Sequence, residues 1–161
     1  MPKITLIESL PIYDVLPPAA DSAGRTGLYT LVKFAHRASI IVHINQGSAS
    51  TVLLTPLQAT NEEGGSSKVL ANNCQIWTNL DTATIDTFTR QADGVNYTTD
   101  AATKNKIIVF QIDPEFLDLA NGFVAVGLST GASSASNITE AVVLLETRYE
   151  QPKPPDAADL D

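Results

Sequence analysis

Three carboxylates fall within six residues in "IDPEFLDL", at Asp113, Glu115 and Asp118. Side chains of that type at that spacing can hold a hard cation or work as an acid/base pair. A calcium loop alternates its oxygen ligands and turns sharply on a Gly, and this stretch has neither feature. A structural alternative accounts for every residue in it. Pro114, with its fixed φ and missing N–H, suits the first position of a helical turn. Asp113 is then expected at the N-cap, its carboxylate accepting the orphan N–H groups of that turn. Glu115 lies in the electropositive first turn, where an acid is favoured. Asp118 is expected on the exposed side, while Phe116, Leu117 and Leu119 compete for the core. Gly122 ends the turn. The stretch reads as a strand–turn–strand connection.

The remaining chemical candidates are few. His36 and His43 sit seven apart across an expected turn, as half-buried or surface residues. Cys74 is the single cysteine, so there is no intrachain disulfide and no Cys/His zinc set; it reads as a small buried hydrophobe. No Ser lies in a strand–elbow–helix context. "GSAS" (47–50) and "GASSAS" (131–136) lack the following Lys or helix start of a phosphate cradle. No motif singles out a carboxylate pair for glycoside hydrolysis. Asn96 and Asn137 head N-x-T sequons, but "MPKITLIESLPIY" has neither the pattern of a signal peptide nor a membrane-spanning run. The chain is expected to be made in a cytoplasm. No catalytic, cofactor-binding or metal-ligating residue is assigned, no cofactor is implied, and no enzymatic activity is expected.

The elements that carry these residues are short. A chain of 161 residues fits one domain with arms, and apolar residues make up 43% of it against 17% charged. Low charge with abundant Ser and Thr suits an ordered β-rich protein with a hydroxyl-covered surface. Ten Lys and Arg against 18 Asp and Glu give a net charge of −8, so a phosphate backbone is repelled and nucleic acid is not expected as a direct partner.

β-Branched runs separated by turn residues predict about eight strands. They include 27–34, 40–44, 51–59, 74–80, 106–112, 123–130 and 140–149. "AHRAS" (35–39) is expected as the turn after the first, and Gly47 as a positive-φ turn residue after the second. Pro56 argues for an edge or bulge. Residues 60–67 form a polar loop, Trp77 is expected in the core, and Asp93-Gly94 is expected to join a hairpin. One helical turn is expected in "PEFLDLAN" and another near "SSKVLAN". The fold class predicted is all-β, an antiparallel sandwich with an extended N-terminal arm (1–23), a sandwich domain (24–149) and a flexible Pro-rich acidic tail (150–161). The arm is both extended and apolar, so it must cover its own sandwich edge or a neighbouring subunit.

Three segments together carry a family resemblance: "HRASIIVHINQGSASTVLLTPLQAT", "NCQIWTNLDTATIDTFTRQADGVNYTTDAATKNKIIVFQIDPEFLD" and "GFVAVGLSTGASSASNITEAVVLLETRY". The chain resembles a family of small tailed-phage structural proteins encoded near the major capsid gene, of the type of the jelly-roll cement (decoration) protein of a Bordetella podophage. The resemblance spans Gly24–Tyr149. It implies a jelly-roll sandwich on the outside of a capsid of HK97-like fold, reinforcing the joints between capsomers. The implied partners are the major capsid protein and further copies of the chain, as a dimer or trimer, with no nucleic acid and no membrane. A tail or baseplate component and a carbohydrate-binding jelly-roll module are the alternatives.

Overall fold

The computed structural model describes residues 6–148. After one helical turn at Leu6–Ser9, eleven strands follow: β1 Ile12–Ala20, β2 Arg25–Leu31, β3 Ala35–Gln46, β4 Leu53–Ala59, β5 Lys68–Val69, β6 Gln75–Asn79, β7 Thr89–Arg90, β8 Tyr97–Thr98, β9 Asn105–Ile112, β10 Ala125–Thr130 and β11 Asn137–Thr147. All pairings are antiparallel. One sheet runs β1-β11-β3-β9-β6-β7 and the other β2-β10-β4-β5, with β8 also on β4. With β6, β7 and β8 set aside, the remaining eight strands, renumbered in chain order, run 1-8-3-6 and 2-7-4-5. That is the jelly-roll arrangement of two Greek keys.

Period-two alternation makes the core. In β9 the inward set is Lys106, Ile108, Phe110 and Ile112, and in β3 it is Ala38, Ile40, Val42, Ile44 and Gln46. These pack against Val143 of β11, Ile76 of β6, Leu54 of β4 and Val126 and Leu128 of β10. The Val, Leu, Ile and Phe side chains among them contribute about 1.5–3 kcal/mol each on burial.

Several elements differ from the sequence expectation. The boundary at residue 23 does not separate an arm from the sandwich. Residues 12–20 are the edge strand of the first sheet, with Ile12 opposite Leu144 and Ala20 opposite Ile138. Two register shifts turn both Val15 and Leu16 into the core. An apolar segment beside an open edge therefore pairs with its own sandwich. Residues 1–5 and the tail 150–161 lie outside the described residues.

"AHRAS" continues β3 instead of turning, because a register irregularity at His36 lets both Ala35 and Ala38 face inward. Gly47 does not have positive φ; it is needed because Ser136 O would lie 2.5 Å from any Cβ there. Asp93-Gly94 joins no hairpin. β7 belongs to the first sheet and β8 to the second, and Gly94 instead bridges back to Cys74. The expected helix near "SSKVLAN" is absent, since Lys68 and Val69 pair with Gln58 and Leu57. Pro56 falls where β4 has no second partner, between the residues paired by β8 and those paired by β5.

Candidate functional site

The carboxylates of "IDPEFLDL" do not act together. The turn is two short 3-10 pieces, Pro114–Phe116 and Leu119–Asn121. Asp113 precedes the first in extended backbone, as expected of a cap, but its side chain makes no cap hydrogen bond. Its carboxylate turns instead to Arg37 on β3, 3.7 Å away. A full positive charge outcompetes the partial charge of a single-turn 3-10 helix.

Asp118 is no free surface acid either. It pairs with Lys68 at 2.5 Å and accepts from Asn121 Nδ2 at 2.9 and 3.0 Å, while its own N–H donates to Gln58 Oε1. The Lys68 ammonium, then the Asn121 amide, hold its carboxyl below the usual range. Gly122 does close the turn, at φ 80°. Leu117 is buried, whereas Phe116 and Leu119 remain exposed.

His43 pairs across strands with Glu140 at 3.0 Å, and His36 is exposed. Cys74 is buried, its thiol pushed up to about 11 chiefly by desolvation and donating to Gly94 O. A thiol in that state is a poor nucleophile. Among the described residues no group of three or more His, Cys, Asp or Glu is arranged to hold a metal ion.

Two buried charges went unnoticed at the sequence level. Lys106 is fully buried, and its ammonium donates to Gln46 Oε1 (2.9 Å), Asp100 O (3.1 Å) and Asp100 Oδ1 (2.5 Å). Three acceptors match its three donors. That hydrogen bond is the main reason the Asp100 carboxyl is also lowered. Asp21, equally buried, accepts from Thr130 Oγ1, Thr139 Oγ1 and Arg25 Nε. Arg25 in turn donates to Pro17 O, Ala19 O and Thr139 O, which fixes the end of β1 to β11. Nearby the two small-residue loops meet: buried Asn137 bonds Ser48 N, Ser50 O and Ser133 Oγ. Each cluster is internally satisfied and structural.

What remains open is a surface. Outward positions of the first sheet line up across all six strands as Asp14, Val142, Ile41, Val109, Trp77 and Arg90. The four central members are half-buried; the flanking rows mix apolar Leu144, Ile107 and Ile12 with polar Ser39, Gln111, Gln75, Glu140 and His43. Trp77 thus faces outward, because Ile76 and Thr78 hold the inward positions of β6. With Phe88, Val109 and Gln111 it lines a shallow hollow. Arg90 lies 5.5 Å from the Trp77 ring centroid and 2.6 Å from Asp93.

The second sheet has no comparable face. Its outward row is Tyr29, Gly127, Leu57 and Val69. The Tyr29 ring lies over Gly127 and Gly64, and its hydroxyl bonds Ser67, so the 60–67 loop closes over the sheet.

No protein-family model matches the chain, and no curated protein does. Among solved structures, the crystal structure of SPBc2 prophage-derived protein YomS is similar, at a TM-score of 0.48 and 12% identity over 84% of this chain and 92% of that one.

Proposed function

We propose that the protein is a virion structural protein, a cement subunit that binds the outside of a tailed-phage head of HK97-like fold and stabilises the joints between capsomers. The observation that carries this reading is where polar and apolar groups end up. The side chains able to do chemistry, among them Asp21, Cys74, Lys106 and Asp118, are occupied within the fold. What is left for the outside is an apolar row, Val142, Ile41, Val109 and Trp77, across one sheet of an acidic jelly roll. Such a patch suits macromolecular contact. The segments resembling tailed-phage cement proteins point to the same role, and the eight-strand order is the architecture they imply. Net negative charge keeps free subunits soluble, and attachment at many copies stabilises a shell through avidity even if each contact is weak. The reading includes no enzymatic activity, no cofactor, no nucleic acid and no membrane, with the protein made in the host cytoplasm.

The test is to mix the purified protein with heads that lack it, sediment them, and image the particles. Co-sedimentation with density on the shell exterior at capsomer joints is the expected result. Density on the tail, or none at all, overturns it.

A carbohydrate-binding module is a second reading, favoured by one feature. Trp77 and the exposed Phe88 flank a hollow that also offers the Gln111 amide, the elements of a sugar-stacking platform. Glycan-array binding that is lost in Trp77→Ala would select this reading.

A further inference from the structure

We propose that the corner between the first sheet and the turn after β9 is a binding pocket for one neutral sugar ring. This goes beyond the cement reading. None of the pocket's residues belongs to the Val142, Ile41, Val109 and Trp77 row, so the two contacts use different side chains. It also differs from a sugar stacked on Trp77 and Phe88, since the two hollows share Gln111 alone.

The pocket is built by two polar rows near the strand ends. Ser39, Gln111 and Gln75 stand opposite one another on β3, β9 and β6. Two residues further along come Arg37, Asp113 and Asn73. The bridge between Cys74 and Gly94 brings Asp93 alongside, and the Pro114–Phe116 turn leaves the half-exposed Phe116 ring on the pocket wall. The space enclosed is about 80 Å³. Room for about six waters admits the hydroxyl edge of one ring and no more.

The polar groups here are uncommitted. Among the described residues the side-chain amides of Asn73, Gln75 and Gln111 bond no protein group, whereas those of Gln46, Gln58, Asn72, Asn79 and Asn137 are all bonded. Arg37 meets Asp113 only at 3.7 Å, outside hydrogen-bond range, and so keeps its donors.

Charge selects the class of ligand. Asp113 faces Arg37, and Asp93 pairs with Arg90 at 2.6 Å, so two guanidiniums match the pocket's two carboxylates. Glu146 stands opposite Arg37 on β11 and Glu115 lies on the turn, so an anion meets net negative charge at the rim. A cation meets Arg37. A neutral ligand that both donates and accepts suits three amides, each of which offers both. Vicinal hydroxyls do so, and the C–H face of the same ring packs on Phe116.

The amides themselves supply the readout. Full-length, isotope-labelled protein is followed by NMR while the methyl glycosides of glucose, galactose, mannose and N-acetylglucosamine are added, with glycerol and acetate as controls. The expected result is saturable movement of the Asn73, Gln75 and Gln111 side-chain N–H signals by at least one glycoside, with a Kd of about 1–10 mM. Asn73→Leu and Arg37→Met each weaken that binding about tenfold, and Trp77→Ala leaves it within about twofold, all three being checked for folding by circular dichroism. No movement with any glycoside overturns the inference. So does equal movement with glycerol, or movement with acetate alone. Binding that survives both pocket variants but is lost in Trp77→Ala overturns it too, and places the sugar on the Trp77 hollow. Attachment to heads takes no part in these readouts, so this inference and the cement reading fail separately.

Discussion

On the outside of the first sheet, Ile41 and Val109 sit at the middle of a row six strands wide whose four central members are apolar. At the matching place on the second sheet stands Gly127, with the Tyr29 ring laid across it and a loop bonded over the top. Both positions are on central strands and both face away from the core. The second sheet closes its outer side with its own chain; among the described residues the first leaves the centre of that side half-buried. A sandwich has two outer faces, and the placement of small residues decides which is available for contact.

The sharpest way to break this comparison is to fill the covered side. A Cβ at Gly127 would lie 2.8 Å from the Tyr29 ring and 2.9 Å from Leu28 O. Gly127→Ala should cost about 1–3 kcal/mol in urea unfolding, and no loss would mean the ring is not seated there. Tyr29→Phe removes the bond to Ser67 and should cost about 0.5–1.5 kcal/mol by the same measurement.

Acid tests the anchor of that cover, where Lys68 pairs with Asp118 and also lies 4.2 Å from the Phe123 ring centroid. Because the folded Asp118 carboxyl is depressed, its contribution is present above the unfolded value, about pH 4, and is lost as pH falls through the folded value. Lys68→Met should therefore be less stable than wild type at neutral pH, and the gap should close in acid. A gap unchanged with pH would remove the ion pair from the account.

On the open side the same kind of change should be mild. Val109→Thr should cost about 0.5 kcal/mol, because among the described residues that position is only half-buried. Smallest of all is Asp113→Ala, at about 0.3 kcal/mol or less. Asp113 and Arg37 are each nearly half exposed, and exposed ion pairs contribute little. A loss of 0.5–2 kcal/mol would restore the capping role.

How far the sequence could be read follows from the same contrast. "KIIVFQI" alternates cleanly, so the inward Ile108, Phe110 and Ile112 were legible from pattern alone. The pattern also placed Lys106 inside, but hydropathy hides a lysine, and its acceptors Gln46 and Asp100 lie far from it in the chain or in a loop. Trp77 was misread because large aromatics are usually internal, whereas here it crowns the outer row. "AHRAS" looks like a turn by composition, yet its alanines are small inward residues beside a bulge. Asp93-Gly94 has the local chemistry of a hairpin, but β7 and β8 answer to different sheets, which no dipeptide encodes. The open face was illegible for a related reason: alternating apolar residues predict one buried side, and only the registers of six strands reveal a second.

The pairing of β1 with β11 has a consequence for how the chain comes into being. Ile12 finds its partner in Leu144, and Ala20 in Ile138. The first of the described strands is thus bonded to the last, so this pairing forms only once both have been made. Closing so distant a contact is slow. Pro17 and Pro18, which withhold two ladder donors, make the waiting strand a poor template for a stranger. Until β11 is made, β1 has no edge of the first sheet to join.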